Sequence, residues 1–495
     1  MTRGIRALLA LSALLTTAAP TPASELPLAQ IAAWPEQPDW PEQSAWPEQA
    51  AWQLIDVAPD AVLALTPNVR PPVGLPLMVT LDGLRATLSD AGDEASGRSI
   101  VLAVPTPEGG VAHFEVFEAS VMHPTLQAKF PEIRTYVGRG LDDPHATARF
   151  ALTPAGFTAQ ILSPDGAFYI DPLSIGDAIH HTVYRKADYR RPGRAIFGCR
   201  VDGRTPNLNP MPDAAIVRAG PTRRLFRTAV STTGEYTAFH GGTVPLGLAA
   251  VVTCVNRVTG IYEVEFAARL QLVANNDVLI FTNAATDPFT GGDVFAMLAQ
   301  NQSTVDARIG AANYDVGHVV DRFGGGGVAG AIGNVCRAGQ KAQGVSSLDP
   351  PINDPFNVDY VAHEMGHQFG ASHTFNSCQG NQGGSGIRGI EPGSGTTIMG
   401  YAGICGPDNI QPNSDPHFSS ASFDEVIVYI SSGAGSCGAQ TATGNVAPVV
   451  NAGIDRSIPR QTPFTLVGSA TDADGDPLTY TWEQRDSSGT PRAIG

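Results

Sequence analysis

The rhythm of hydrophobic and polar positions changes along this chain, and each change marks a predicted unit. From about residue 54 to 215, short apolar runs such as Ser99–Val104 and Ala146–Ala151 are separated by Pro, Gly and Asp turns, which predicts a β-rich region. Between Leu225 and Cys437, strand-like and helix-like stretches alternate. Leu225–Ser231 reads as a strand, Pro245–Val258 as a helix ended by Gly260, Val264–Val273 as a strand and Asp293–Ile309 as a helix. Tyr314–Val320 and Val328–Val335 predict two more strands, the second behind the glycines Gly324–Gly327. Val358, Ala362, Met365 and Phe369 recur at helical spacing after Asn353-Asp354-Pro355, a helix-start signal. Phe423, Val426, Ile427 and Ile430 share one face of a last helix, with Ser422 and Glu425 in capping-box spacing. From Val446 alternation returns in Phe464–Val467 and Leu478–Trp482, the start of a β-sandwich cut short of the roughly 80 to 100 residues such modules need.

The N-terminus carries Arg3 and Arg6, an apolar run from Ala7 to Leu15, and small residues up to Ala23-Ser24. This reads as a secretory signal over residues 1–23, so export from the cell is expected. Trp-Pro-Glu-Gln then recurs at Trp34, Trp40 and Trp46, with Trp52 closing the series, and predicts an extended linker over 24–52. No later run approaches the roughly 20 apolar residues of a membrane span.

Composition narrows the choice of partners. The 495 residues are 42% hydrophobic and 16% charged, enough for two or three globular domains. A formal charge of −16 argues against nucleic acid and anionic membranes, which want a basic face. Six cysteines in an exported chain suggest disulfides. Four of them flank residues 363–373, and the favoured pairing is Cys378 with Cys405 and Cys336 with Cys437, one of three that four cysteines allow. His180-His181 is set aside, since neighbours on a strand point opposite ways.

The chemistry concentrates at His-Glu-Met-Gly-His-Gln-Phe-Gly-Ala-Ser-His, residues 363–373. His363 and His367, four apart on a helix, can offer their imidazoles to one metal ion. Glu364, one residue round, suits a general base acting on a water at that metal. A glycine at 370 can end the helix with a positive φ and return His373 as third ligand. Three protein nitrogens leave one position open, the mark of a catalytic rather than a structural zinc site. Asp472, Asp474 and Asp476 with Glu483 imitate a calcium loop, but Pro477 stands where that loop requires glycine, so a turn is expected. Calcium is compatible with the chain, and nothing in it calls for calcium.

That long motif, followed by Thr396-Thr397-Ile398-Met399-Gly400-Tyr401, resembles the metzincin zinc peptidases, and within them the bacterial secreted members of the reprolysin-like (M12B-type) group. The resemblance implies an α+β or α/β domain with a twisted mixed sheet and an active-site helix, one catalytic zinc ion on His363, His367 and His373, and Met399 in a turn beneath it. It also implies that an antiparallel edge strand, here Val328–Val335, pairs with an extended peptide substrate. Tyr401 is closer to other metzincin branches, where a tyrosine at that offset ligates zinc or steadies the transition state. Residues 53–217 resemble the propeptide of this family, in His123-Pro124, Pro131-Glu132-Ile133-Arg134 and Tyr169-Ile170-Asp171-Pro172. In that region Cys199 is the one cysteine, a candidate thiolate for the open zinc position, with a disulfide to Cys254 or a buried thiol as alternatives. The tail resembles PKD-like modules, in Asp474-Gly475-Asp476-Pro477-Leu478-Thr479-Tyr480.

The expected order is therefore signal peptide 1–23, linker 24–52, β-rich propeptide 53–217, peptidase domain 218–440 and partial β-sandwich 446–495. The function that follows is a secreted zinc endopeptidase made as a zymogen, with protein or peptide substrates, its own propeptide as inhibitor, and an activating cut near Arg218 or Arg223-Arg224. The rival is a non-catalytic exported zinc-containing adhesion or binding protein, in which Glu364 would have no work to do.

Overall fold

A computed structural model describes residues 51–55, 67–69, 74–189, 219–324, 326–379, 389–459 and 461–485. The signal peptide, nearly all of the tryptophan linker, Cys199 and Arg218 lie outside the described residues.

The β-rich region is one antiparallel sheet of nine strands. Its strands are β1 (Trp52–Leu54), β2 (Leu75–Val79), β3 (Ile100–Pro105), β4 (Val111–Glu118), β5 (Arg134–Gly140), β6 (Thr147–Thr153), β7 (Gly156–Leu162), β8 (Phe168–Pro172) and β9 (His180–Arg185). They run in the order β1-β2-β9-β8-β7-β6-β5-β4-β3. Alternation buries one face around Phe114, Phe150, Phe157 and Trp52. Trp52 therefore belongs to this core rather than to a linker: its Nε1 donates to Ala103 O at 2.9 Å. His181 is fully buried, while His180 faces out and pairs with Asp177, as neighbours on a strand must.

The second unit holds a mixed sheet. Strands β10 (Thr222–Thr232), β11 (Ala268–Leu272), β12 (Val316–Asp321), β13 (Gly326–Ala329) and β14 (Gly344–Ser347) are ordered β11-β10-β12-β14-β13. All neighbours are parallel except β13 against β14, and β15 (Ala439–Ala442) adds antiparallel to the first half of β10. Arg223 and Arg224 sit inside β10, both paired to β15 and Arg224 also to β11, so the cut expected at that pair would sever a strand within the sheet.

Five predicted elements differ. The helix expected to stop at Gly260 runs on, Val244–Phe266, and ends at Ala267 with φ 51°, so the strand expected from Val264 begins only at Ala268. Gly260 does not break the helix; it lets the first sheet approach, since a Cβ there would meet Arg149 Cγ at 2.7 Å and Gln160 Oε1 at 2.8 Å. By length and composition this helix could cross a bilayer, but it is packed inside the protein and carries the buried Asn256 and Arg257.

The edge strand expected at Val328–Val335 is Gly326–Ala329. Residues 333–335 turn instead to close the helix that carries His363 and His367, their N–H groups donating to the carbonyls of His367 and Gln368 at 2.8 to 3.2 Å.

At the C-terminus, Phe464–Val467 and Leu478–Trp482 form no strands, and the described tail pairs only β16 (Val449–Asn451) with β17 (Ser469–Thr471). Among the described residues no second sheet lies against them, and Phe464, Val467 and Trp482 stay exposed. The acidic trio there forms a turn: Asp472 Oδ1 accepts from the N–H groups of Asp474 and Asp476.

Candidate active site

The active-site helix is assembled from an α-turn Asn353–Phe356, a π-helical stretch Asn357–Ala362 and a second α-turn His363–Gln368. The wide turn lies immediately before the first histidine, where such distortions commonly serve to aim side chains. Gly370 has φ 108°, and Ala371 N–H donates to Gly366 O at 2.9 Å, so the chain turns back as the spacing requires.

That turn brings three imidazoles together. His363 and His367 Nε2 stand 3.2 and 2.9 Å from His373 Nε2. His363 Nδ1 faces Ile398 O at 2.6 Å and His367 Nδ1 faces Ala371 O at 2.8 Å. A carbonyl only accepts, so both rings carry their proton on Nδ1 and offer an Nε2 lone pair to the shared centre. Burial pushes His363 down to about 4, and burial with the neighbouring rings holds His367 and His373 well below the usual range, so all three are neutral at pH 7. Around a tetrahedral zinc with bonds near 2.05 Å, ligand nitrogens stand about 3.3 Å apart. The donor set fits that ion, and the three ligand atoms lie within 4.8 Å of one another.

Glu364 is fully buried beside this centre, against β13. Gly327 makes room for it: a Cβ on that residue would lie 2.2 Å from Glu364 Oε1. Met399 is fully buried under the helix, with its Sδ 2.6 Å from where a Cβ on Gly366 would stand. Tyr401 comes to the cluster as well, its ring 4.8 Å from that of His373 and stacked at 4.1 Å on Phe375. Cys378–Cys405 and Cys336–Cys437 are both bonded, and Cys254 is a free buried thiol whose pKa burial raises to about 12. Asp408, three residues past Cys405, accepts from Ser377 Oγ and Gln379 N–H beside Cys378.

Residues 222–426 match the model of the metallo-peptidase family M12B, reprolysin-like.

The matched span takes in the three histidines, Glu364, Met399 and Tyr401, so the reprolysin-like metallopeptidase domain contains the whole cluster. Peptidases of this family use zinc, and the histidine triad is a group that could hold it. No curated protein matches the chain. Among solved structures, the chain is similar to the crystal structure of metalloproteinase-II from Bacteroides fragilis, at 11% identity and a TM-score of 0.42, over 70% of this chain and 94% of that one.

Two supports of the site went unread in the sequence. Glu391 accepts from Thr396 N–H at 2.9 Å, Thr397 N–H at 3.0 Å and Thr397 Oγ1 at 2.7 Å, and also from Thr374 Oγ1. It ties the residue after His373 to the turn that holds Met399. Its signal was available, since no other acid lies between His373 and Met399. Gln368, next to His367, bonds His318 Nδ1 at 2.9 Å and donates to Gly317 O at 3.0 Å, fastening the helix to β12. No spacing rule announces that contact.

Proposed function

We propose that this chain is a secreted zinc endopeptidase of the metzincin kind, made as a zymogen, with His363, His367 and His373 as ligands and Glu364 as general base. The observation that carries this reading is the convergence of three neutral Nε2 donors beside a buried carboxylate. Zinc bound by His363, His367 and His373 would supply a Lewis acid for the scissile carbonyl and would lower the pKa of the attacking water towards about 7. Ile398 O and Ala371 O keep the proton on Nδ1 of His363 and His367, so Nε2 stays free to bind. Glu364 receives the proton of the attacking water on its carboxylate and passes it to the leaving amine nitrogen. β13, last on the sheet's path and antiparallel to β14, offers its edge to an extended peptide. Tyr401, against the His373 ring, steadies the oxyanion through its hydroxyl.

An activating cut falls upstream of β10, because the strand itself is hydrogen-bonded on both sides. Cys199 is the thiol that keeps the site shut before the cut; the free state of Cys254 supports this over a bond between the two. The test is hydrolysis of casein and a quenched peptide by processed protein, with chelator and with zinc restored. Cleavage lost with chelator and regained with zinc is expected. Zinc bound in the absence of any cleavage would support the rival, a binding protein.

A further inference from the structure

Domains that separate in use meet through polar surfaces and keep separate cores, because each surface must face water alone. The nine-stranded sheet meets the peptidase unit differently. Residues 121–123 leave their own sheet and lie parallel along the outer edge of β11, with Leu272 N–H donating to Val121 O at 2.7 Å and His123 N–H to Leu272 O at 2.9 Å. The peptidase sheet is thereby extended by a segment from the other unit. Val121, Met122, Leu126 and Ile133 are each at most 1% exposed and share one apolar cluster with Leu248, Val252 and Leu272. The peptidase core is thus completed by side chains from upstream.

Farther along the contact, charges are buried in pairs that span the units. Arg257 and Asp171, both 2% exposed, meet at 2.6 Å, and Lys186 reaches Asp354 at 3.2 Å and Asp359 at 3.8 Å. Asp354 and Asp359 are on the first turns of the active-site helix, ahead of His363. Asn256 Nδ2 donates to Phe150 O at 3.0 Å. Separation would strand each of these groups without its partner and open the apolar cluster to water.

We propose that residues 51–189 are a permanent subunit of the peptidase, not a segment shed on activation, so that a cut between residues 189 and 219 yields a two-chain enzyme. This holds whether or not the histidine site is catalytic, and it restricts the zymogen reading: opening the site does not require the sheet to leave.

The test uses the full chain carrying Glu364→Gln, to prevent self-cleavage, with a site for a specific protease inserted between residues 189 and 219. After the cut, both fragments should co-elute at the mass of the uncut protein at about 1 µM and still at about 10 nM, the range of an obligate interface. They should separate only in denaturant. Two folded fragments eluting apart in native buffer would overturn the proposal. Hydrogen exchange gives an independent reading on the same sample. The amides of Leu272 and His123 should stay as protected after the cut as before, and rapid exchange at both would overturn it.

Discussion

Gly327→Ala tests whether β13 holds Glu364 in place. The added Cβ would stand 2.2 Å from Glu364 Oε1, 2.4 Å from its Cγ and 2.5 Å from its Cδ, where ordinary contact begins at 3.4 Å. The carboxylate must retreat by roughly 1 Å, a misplacement that costs a positioned group on the order of 100-fold in rate. Expressed as a barrier, the loss in kcat is about 2.7 kcal/mol. The expected cost in stability is that of modest overpacking, about 1 to 3 kcal/mol. Zinc content should be unchanged, since the three atoms nearest to a Cβ at Gly327 all belong to Glu364 and none to a histidine. The assay is steady-state cleavage of a quenched peptide, with metal analysis and a thermal melt on the same sample. A kcat within twofold of the parent, at full zinc content, would refute the argument. So would a raised KM with unchanged kcat, because β13 rather than the base would then have given way.

Tyr401→Phe keeps the stack on Phe375 and removes only the hydroxyl, so turnover should fall at least about tenfold with zinc content unchanged; an unaltered rate excludes Tyr401 from the chemistry. Glu391→Gln turns an acceptor that receives backbone N–H groups partly into a donor, and zinc affinity should fall roughly 10- to 100-fold in a chelator competition. Replacing Cys378 and Cys405 by Ser releases a link spanning 27 residues, for which chain entropy predicts a loss of about 3 to 4 kcal/mol, read in a urea titration. Burial pushes His181 down to about 4, so as pH falls below about 6.5 the unfolded chain takes up the proton first. The stability from the neutral ring is complete above that pH and is lost towards pH 4, roughly 3 kcal/mol in all, and His181→Gln should flatten that part of the profile.

The histidine helix, Glu364, the return at Gly370 and the methionine turn were legible because metal chemistry fixes residue types at short spacings, and local backbone geometry does the rest. Both disulfides were legible for a similar reason, since four cysteines flank one motif. What escaped depends on partners distant in sequence. Gly260 looks like a helix stop until Arg149 and Gln160, more than a hundred residues away along the chain for the former, come to lie against it. Residues 333–335 read as the end of the strand expected at Val328–Val335, yet the unfilled carbonyls of the active-site helix claim their N–H groups. Glu391 stands out as the one acid between His373 and Met399, but what it supports does not, because its partners, Thr374 and Thr396-Thr397, meet only after the loop folds. In the tail, period-two alternation in Phe464–Val467 predicts a strand, but alternation specifies a strand only where another surface can bury one face.

The account stands most directly on Glu364. Cleavage of a quenched peptide by the processed protein is compared with that of Glu364→Gln, each loaded with one zinc and shown to be folded. A carboxamide cannot take the water's proton, so kcat should fall by at least about 100-fold while zinc affinity is kept. Cleavage that persists in Glu364→Gln at the parent rate would contradict the account.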